Sequence, residues 1–226
     1  MQPRVLLAES LTPDGAPITL SREAGALVVR VDGVPLMSSR VHGSEEALAS
    51  VTCAPLAKRK GARVLVGGLG MGYTLRAALD ALGRDARVVV SELLPCIVEW
   101  NRGPIGPLAG HPLDDPRAEL VVGDLSALLR RGGARFDAVL LDVDNGPDAF
   151  TVPTNAWLYG RPGLAAIRAA LAPGGVVAVW SAFVSPRFEK ALRAAGLATE
   201  VVPVRARGAV KKGSKHVLYV GRVGRP

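Results

Sequence analysis

The chain has few cysteines and few aromatic residues, and it lacks long apolar runs. Cys53 and Cys96 alone cannot form a disulfide scaffold or a four-cysteine zinc site, and the default location is a reducing cytoplasm. No run reaches the roughly 18 apolar residues of a membrane span, and the N-terminus has no apolar signal-peptide segment. His42, His111 and His216 have no metal-ligand spacing. We therefore expect no disulfide scaffold, no membrane span and no metal.

The composition otherwise describes an ordinary globular protein, with 49% hydrophobic and 21% charged residues in 226. This length suits one full α/β domain. The net charge is +8, but seven of the 28 basic residues lie from Arg205 onward, where no acidic residue follows Glu200. The body is thus close to neutral. The basic tail is either a solvated segment or a contact for an anion, a nucleic acid or a membrane surface.

The first sixty residues differ from the rest and are predicted to form a small N-terminal unit, residues 1–60. Two β-like runs in residues 26–37 flank Asp32 and Gly33, a strong signal for a β-hairpin. Residues 44–53 predict a lead-in helix with Ser44 as its N-cap. The unit is therefore predicted to be one hairpin followed by one helix.

Residues 61–226 alternate between short Val- and Leu-rich runs and helical segments. The predicted strands are 64–66, 87–91, 119–122, 136–141, 176–181, 199–204 and 216–220. The last two, joined by a basic loop, predict an antiparallel hairpin. This pattern indicates an α/β fold with a doubly wound, mostly parallel seven-stranded sheet. Ligands bind such sheets at the carboxyl ends of the strands.

A glycine-rich segment joins the first of these strands to a helix. Gly68, Gly70 and Gly72 allow a tight turn and close approach of a ligand to the backbone. Glu92 ends the second strand 20 residues after Gly72, where a carboxylate can accept hydrogen bonds from a ribose diol. The alternatives are a tight loop without a ligand, and a surface acid or helix cap at Glu92.

Acidic residues also end the third and fourth strands. Asp124 either caps the following helix or orients an adenine amino group. Asp142 and Asp144 follow an apolar strand, and a partly desolvated Asp142 suits a general base or an amine-binding group. The alternative for this pair is a turn-forming cluster.

A long loop, residues 148–159, follows at the same edge of the sheet. Its Trp157 and Tyr159 have ring faces that can hold a cation or a flat ring. The alternative is that both rings pack the next helix onto the sheet.

Residues 43–220 resemble the spermidine synthase family, a branch of the class I S-adenosylmethionine-dependent methyltransferase fold. The resemblance implies that the glycine-rich loop cradles the methionine part of the nucleotide and that Glu92 holds the ribose. It also implies that Asp124, with Leu125 beside it, meets the adenine, and that Asp142 helps to deprotonate the attacking amine, with Asp144 as a second candidate.

The chain departs from that family on the acceptor side. The family's Tyr-His-Glu triplet in the lead-in helix corresponds to Ser44, Glu45 and Glu46, so only Glu46 is carried over as a substrate contact. The family's Asp-Ser-x-Asp-Pro run corresponds to residues 142–147, which displaces or removes the second polyamine-binding acid. The remaining expected substrate contacts are Asn145, Trp157 and Tyr159.

The resemblance implies transfer of an aminopropyl group from decarboxylated S-adenosylmethionine to a small-molecule amine. Transfer of a methyl group from S-adenosylmethionine itself is the first alternative, and a nucleic-acid-associated protein using the basic tail is the second. A nicotinamide dehydrogenase is disfavoured because no second substrate domain is present. A homodimer is left open.

Overall fold

The N-terminal unit is a four-stranded antiparallel sheet in the computed structural model, which describes residues 3–133, 135–143, 147, 155–206 and 214–224. Its strands are β1 (Val5–Leu11), β2 (Pro17–Glu23), β3 (Ala26–Val31) and β4 (Val34–Ser38). β3 and β4 are the predicted hairpin. Their turn holds Asp32 and Gly33 at φ angles of 50° and 76°, as a tight hairpin turn requires.

β1 and β2 were not predicted from the sequence. The pairing register of these strands shifts between Leu6 and Ala8, where β1 carries a bulge. A bulge breaks the two-residue alternation on which strand prediction depends. The unit is therefore a full sheet, where the sequence predicted a single hairpin.

Helix α1 (Gly43–Cys53) follows and continues into a short 3-10 helix, Ala54–Leu56. It begins one residue earlier than predicted, with His42 as the N-cap residue. The prediction that Ser44 caps this helix is wrong, because its hydroxyl contacts Glu45 and His216. Those contacts lie near the candidate site described below.

The main sheet has seven strands in the order β10-β11-β9-β8-β5-β6-β7. They are β5 (Arg63–Gly67), β6 (Arg87–Glu92), β7 (Ala118–Val122), β8 (Phe136–Leu141), β9 (Leu171–Ser181), β10 (Ala198–Arg205) and β11 (Lys215–Arg222). β5 to β9 pair in parallel, and β11 pairs antiparallel with both β9 and β10. The predicted fold class and the late antiparallel hairpin are confirmed.

Helices cover both faces of this sheet. They are α2 (Tyr73–Ala81), α3 (Pro95–Arg102), α4 (Leu125–Arg131), α5 (Asn155–Tyr159), α6 (Arg161–Ala170) and α7 (Pro186–Ala194), with 3-10 turns at Gly106–Ala109 and Pro112–Asp114. Successive strand residues alternate between two cores: Val64 and Val66 face α1, α2 and α3, whereas Leu65 faces α4, α6 and α7. This alternation follows from the two-residue period of a strand.

The N-terminal sheet shares the first of these cores, since Leu20 and Val29 are buried together with residues of α1 and α2. The boundary between units at residues 60 and 61 stays a prediction. Among the described residues, no helix is both long and apolar enough to cross a membrane.

Candidate active site

The glycine loop (residues 67–72) connects β5 to α2 at the carboxyl edge of the sheet. Gly68, Gly70 and Gly72 have φ angles of 92°, 53° and 85°, which L side chains rarely adopt. A Cβ atom on Gly68 would overlap the backbone carbonyl oxygen of Asp142. The loop therefore packs directly against the end of β8, and glycine is required for this approach.

Glu92 ties the glycine loop to the end of β6. Its side chain is buried, and its two carboxylate oxygens accept hydrogen bonds from the backbone N–H groups of Leu69 and Leu94, each at 2.9 Å. Burial raises the pKa of Glu92, while the backbone hydrogen bonds oppose the shift. The carboxylate is thus held rigidly beside the loop by main-chain donors.

Asn101 holds the loop from α3, and the sequence analysis did not identify it. Its side-chain amide donates to the carbonyl oxygens of Gly70 and Ile97, both at 2.8 Å. Its Oδ1 atom is buried without a hydrogen-bond partner in the described part of the chain. The available signal was a polar residue one helical turn after Ile97, on the buried face of a predicted helix.

Asp124 and Leu125 follow β7 at the same edge. Asp124 accepts a hydrogen bond from the backbone N–H of Ser126 at 2.8 Å, so it caps α4. Leu125 is buried against Gly67, where a Cβ would overlap its side chain. The capping alternative is therefore observed for Asp124, and contact of either residue with an adenine stays a prediction.

Asp142 leaves the end of β8 beside the glycine loop. Its Oδ2 atom accepts a hydrogen bond of 2.7 Å from the Thr74 hydroxyl, which the first turn of α2 supplies. Burial raises the pKa of Asp142 to about 6, and the Thr74 hydrogen bond opposes the shift. A carboxylate with this pKa is ionised at neutral pH and can accept a proton.

A second carboxylate, Glu45, faces Asp142 from α1. Burial, together with the nearby charge of Asp142, raises the pKa of Glu45 to about 8. The Thr74 hydroxyl also lies 3.5 Å from the Glu45 carbonyl oxygen, so one side chain contacts both acidic positions. The site therefore combines carboxylates from two separate elements.

The sequence predicted Glu46 as a substrate contact, and that contact stays a prediction. Glu45 is the α1 residue whose carboxylate lies close to Asp142. Glu46 has a side chain that is 49% exposed and pairs with His42 at 2.9 Å. Glu45 lies three and four residues before Leu48 and Ala49, both fully buried. That spacing places Glu45 on the buried face of α1, and it was readable from the sequence.

The remaining predicted residues lie elsewhere or outside the described residues. Asp144 and Asn145 lie outside the described residues. Trp157 stacks its ring under the Arg130 guanidinium at 4.0 Å. Tyr159 is buried on the face of the sheet opposite to α1 and α2, and its hydroxyl donates to the carbonyl oxygen of Val143. These contacts favour the packing alternative for both rings, and a substrate contact of either stays a prediction.

Among the described residues, no group of three or more His, Cys, Asp or Glu side chains could hold a metal ion. The residues that meet at the carboxyl edge instead combine a tight glycine loop with carboxylates. Glu92 and the loop lie on one side, whereas Asp142, Thr74 and Glu45 lie on the other. Chemically, this arrangement can hold a hydroxylated ligand and a basic one next to each other.

Comparison with known proteins gives sequence relatives for part of the chain. The polyamine aminopropyltransferase of Mycobacterium tuberculosis (strain H37Rv) is 37% identical over 123 residues, which cover 53% of this chain and 23% of that protein. Polyamine aminopropyltransferase 2 of Pseudomonas aeruginosa is 36% identical over 127 residues, covering 51% and 32%. Putrescine N-methyltransferase 2 of Nicotiana attenuata is 32% identical over 118 residues, covering 51% and 29%. The matches thus span less than half the length of these relatives, and no family model matches the chain.

Solved structures match nearly the whole chain. A spermidine synthase in complex with the transition-state analogue AdoDATO has a TM-score of 0.74 at 19% identity, over 98% of this chain and 73% of that one. The spermidine synthase of Thermotoga maritima has a TM-score of 0.74 at 20% identity, over 98% and 74%. The predicted resemblance to the spermidine synthase family is confirmed, and the fold is that of these enzymes.

Proposed function

We propose that the chain is a transferase that moves an aminopropyl group from decarboxylated S-adenosylmethionine to a small-molecule amine. The observation that carries the proposal is the meeting of the glycine loop, Glu92 and Asp142 at one sheet edge. The polyamine aminopropyltransferases among the relatives, and the structural neighbour in complex with AdoDATO, support the same reading.

The nucleotide side fits an adenosyl group. The glycine loop turns tightly at the carboxyl edge of the sheet, and the buried Glu92 carboxylate lies beside it, where it accepts hydrogen bonds from Leu69 and Leu94. This carboxylate is proposed to accept hydrogen bonds from the two hydroxyls of a ribose. Asp124 and Leu125 extend this side toward β7 and are proposed to meet the adenine.

The acceptor side fits an amine. A sulfonium donor supplies an activated carbon and a neutral thioether leaving group, so acid catalysis on the leaving group is unnecessary. An alkyl amine has a pKa near that of lysine, about 10.4, and must lose a proton to attack. Asp142, ionised at neutral pH and oriented by Thr74, is proposed to take that proton first. The freed nitrogen lone pair then forms the new bond to carbon as the carbon–sulfur bond breaks and its electron pair stays on sulfur.

The decisive experiment is mass spectrometry of products formed from each donor with putrescine and with spermidine. We expect a mass increase of one aminopropyl group with decarboxylated S-adenosylmethionine. Methylthioadenosine should bind in a calorimeter whether or not an acceptor is present. The absence of binding heat with either donor or with methylthioadenosine would remove the nucleotide hypothesis.

Methyl transfer to a small amine is the second candidate, because the relatives include a putrescine N-methyltransferase at 32% identity. The same mass spectra separate the two, since only S-adenosylmethionine would then yield product, and that product would carry a methyl group.

Several expectations remain part of this proposal. They are a homodimer, an anion contact by the basic tail and a cytoplasmic location, together with substrate contacts at Glu46, Asp144, Asn145, Trp157 and Tyr159. Most of the loop in the basic tail, residues 207–213, lies outside the described residues.

A further inference from the structure

We propose that Glu45 is a second acceptor-binding carboxylate of this site, and that Ser44 and His216 are positioning residues for it. The inference rests on the proposed function and deepens it, because it assigns the acceptor to the class of amines that enter as ammonium cations. None of the three residues was identified as part of the site from the sequence.

The first step is the direction in which Glu45 faces. α1 packs on the sheet through Leu48, Ala49 and Cys53, and Glu45 shares that face while its neighbour Glu46 does not. Its carboxyl group is therefore turned toward the end of β8, close enough to Asp142 for the charge of Asp142 to raise the pKa of Glu45.

The second step is the charge balance of this face. No arginine or lysine in the described ranges forms an ion pair with Glu45 or with Asp142. Two neighbouring carboxylates repel each other, which favours protonation of one. An ammonium ligand would relieve this repulsion, and it is the chemical class that the pair complements.

The third step is the hydrogen-bond chain that holds Glu45. The Ser44 hydroxyl donates to the Glu45 Oε2 atom at 2.9 Å, and the His216 Nδ1 atom lies 3.1 Å from the same hydroxyl oxygen. When Glu45 is ionised, the Ser44 hydroxyl gives it its single proton, so His216 donates to the hydroxyl oxygen from Nδ1. Burial lowers the pKa of His216, which favours the neutral ring.

The fourth step is what fixes His216 itself. Its ring stands edge-on to Trp180, with the ring centroids 4.8 Å apart. His216 lies on β11 and Trp180 on β9, which pair at the antiparallel end of the sheet. This end therefore supports Ser44, although Ser44 and His216 are 172 residues apart in the sequence. Ser44 and His216 contact no reacting atom in this scheme; they orient Glu45.

The test compares Glu45→Gln with Glu119→Gln, which neutralises an exposed carboxylate on β7. We expect Glu45→Gln to raise the KM for putrescine about 10-fold or more, because hydrogen bonds to charged groups contribute about 1.5–3 kcal/mol. The affinity for methylthioadenosine should be unchanged in both variants, which also shows that they are folded. Glu119→Gln should behave as the wild type.

The pH profile of kcat/KM gives a second measurement. The groups that face Glu45 are Asp142, Glu46 on its own helix, Tyr73 from α2, and His216 through Ser44. Activity should rise as Asp142 ionises at about pH 6, and again as Glu45 ionises at about pH 8. Glu45→Gln should keep the first rise and lose the second.

The positioning residues have their own signature. Ser44→Ala removes a hydrogen bond that lowers the pKa of Glu45, so the upper rise should move to higher pH. His216→Leu should cause a smaller shift in the same direction. His216→Asn, whose amide nitrogen can occupy the place of Nδ1, should restore the wild-type profile.

The failures of the two proposals are distinguishable. If the wild type turns over either donor while Glu45→Gln keeps both its KM and its upper rise, the inference is overturned and the proposed function stands. If the wild type turns over neither donor, the proposed function fails. Calorimetric binding of putrescine then decides the inference, which is overturned when the affinities of Glu45→Gln and wild type are equal.

Discussion

The two sides of the site hold their carboxylates in different ways. On the nucleotide side, Glu92 is held by backbone N–H groups of Leu69 and Leu94. On the acceptor side, Asp142 and Glu45 are held by the hydroxyls of Thr74 and Ser44, which belong to two different helices. Burial raises the pKa on both sides, so burial is not the difference.

The difference lies in what a substitution can change. Main-chain donors persist whatever side chains the loop carries, whereas a hydroxyl donor is lost with a single substitution. We infer that the position of Glu92 tolerates substitutions in the residues around it. We also infer that acceptor specificity depends on Asp142 and Glu45, because other side chains hold them in place.

The largest expected effect is on turnover. Asp142→Asn is nearly isosteric and can keep the Thr74 hydrogen bond through its amide oxygen, but it cannot take a proton. We expect kcat to fall by about 10²- to 10⁴-fold, the usual contribution of a general base, with methylthioadenosine affinity retained. Asp14→Asn, in the exposed β1–β2 turn, is the control. Undiminished turnover in Asp142→Asn would show that another group takes the proton.

The next effect is on nucleotide affinity. Glu92→Gln replaces one acceptor oxygen with an NH₂ group, which must face the N–H of Leu69 or Leu94. We expect the Kd for methylthioadenosine to rise about 10- to 100-fold, from the loss of a charged acceptor contributing about 1.5–3 kcal/mol. Calorimetry beside Glu119→Gln measures it. An unaltered Kd would show that Glu92 does not bind the ribose. The comparison between a backbone-held nucleotide carboxylate and side-chain-held acceptor carboxylates would then fail.

The smallest expected effect is on stability, where the glycine loop packs against the end of β8. Gly68→Ala would drive a Cβ into the Asp142 carbonyl oxygen, whereas Gly15→Ala has a similar φ, 87° against 92°, but open space around it. The pair therefore separates the steric overlap from the cost of positive φ. We expect Gly68→Ala to lose about 1–3 kcal/mol of unfolding free energy beyond the loss in Gly15→Ala. Each kcal/mol lowers the thermal midpoint by about 2–4 °C at this chain length, which calorimetric melting resolves. Equal midpoints in the two variants would mean that the loop and β8 do not meet as described.

Local sequence patterns were sufficient for most of the fold. The alternation of Val- and Leu-rich runs with helical segments predicted the seven strands, and Asp32 with Gly33 predicted the β3–β4 turn. β1 was missed because a bulge disrupts its alternation. β2 pairs with β3 without a shift, and the alternating buried residues Ile18 and Leu20 were the available signal for it. The error at Ser44 has another cause, since its hydroxyl bonds to His216, which a local pattern cannot show.

The sequence by itself determined that Gly68, Glu92, Asp124 and Asp142 lie along one edge, because parallel strands all present their carboxyl ends on the same side of the sheet. Only the tertiary structure decided that Glu45 lies beside Asp142, and which distant residues hold it. The contact of Glu45 with this edge depends on how α1 packs on the sheet. The contact of Asn101 with Gly70 depends on the packing of α3 against the glycine loop, and the contact of His216 with Ser44 depends on the pairing of β11 with β9. Those contacts join residues far apart in the chain, and their positions depend on how whole elements pack together.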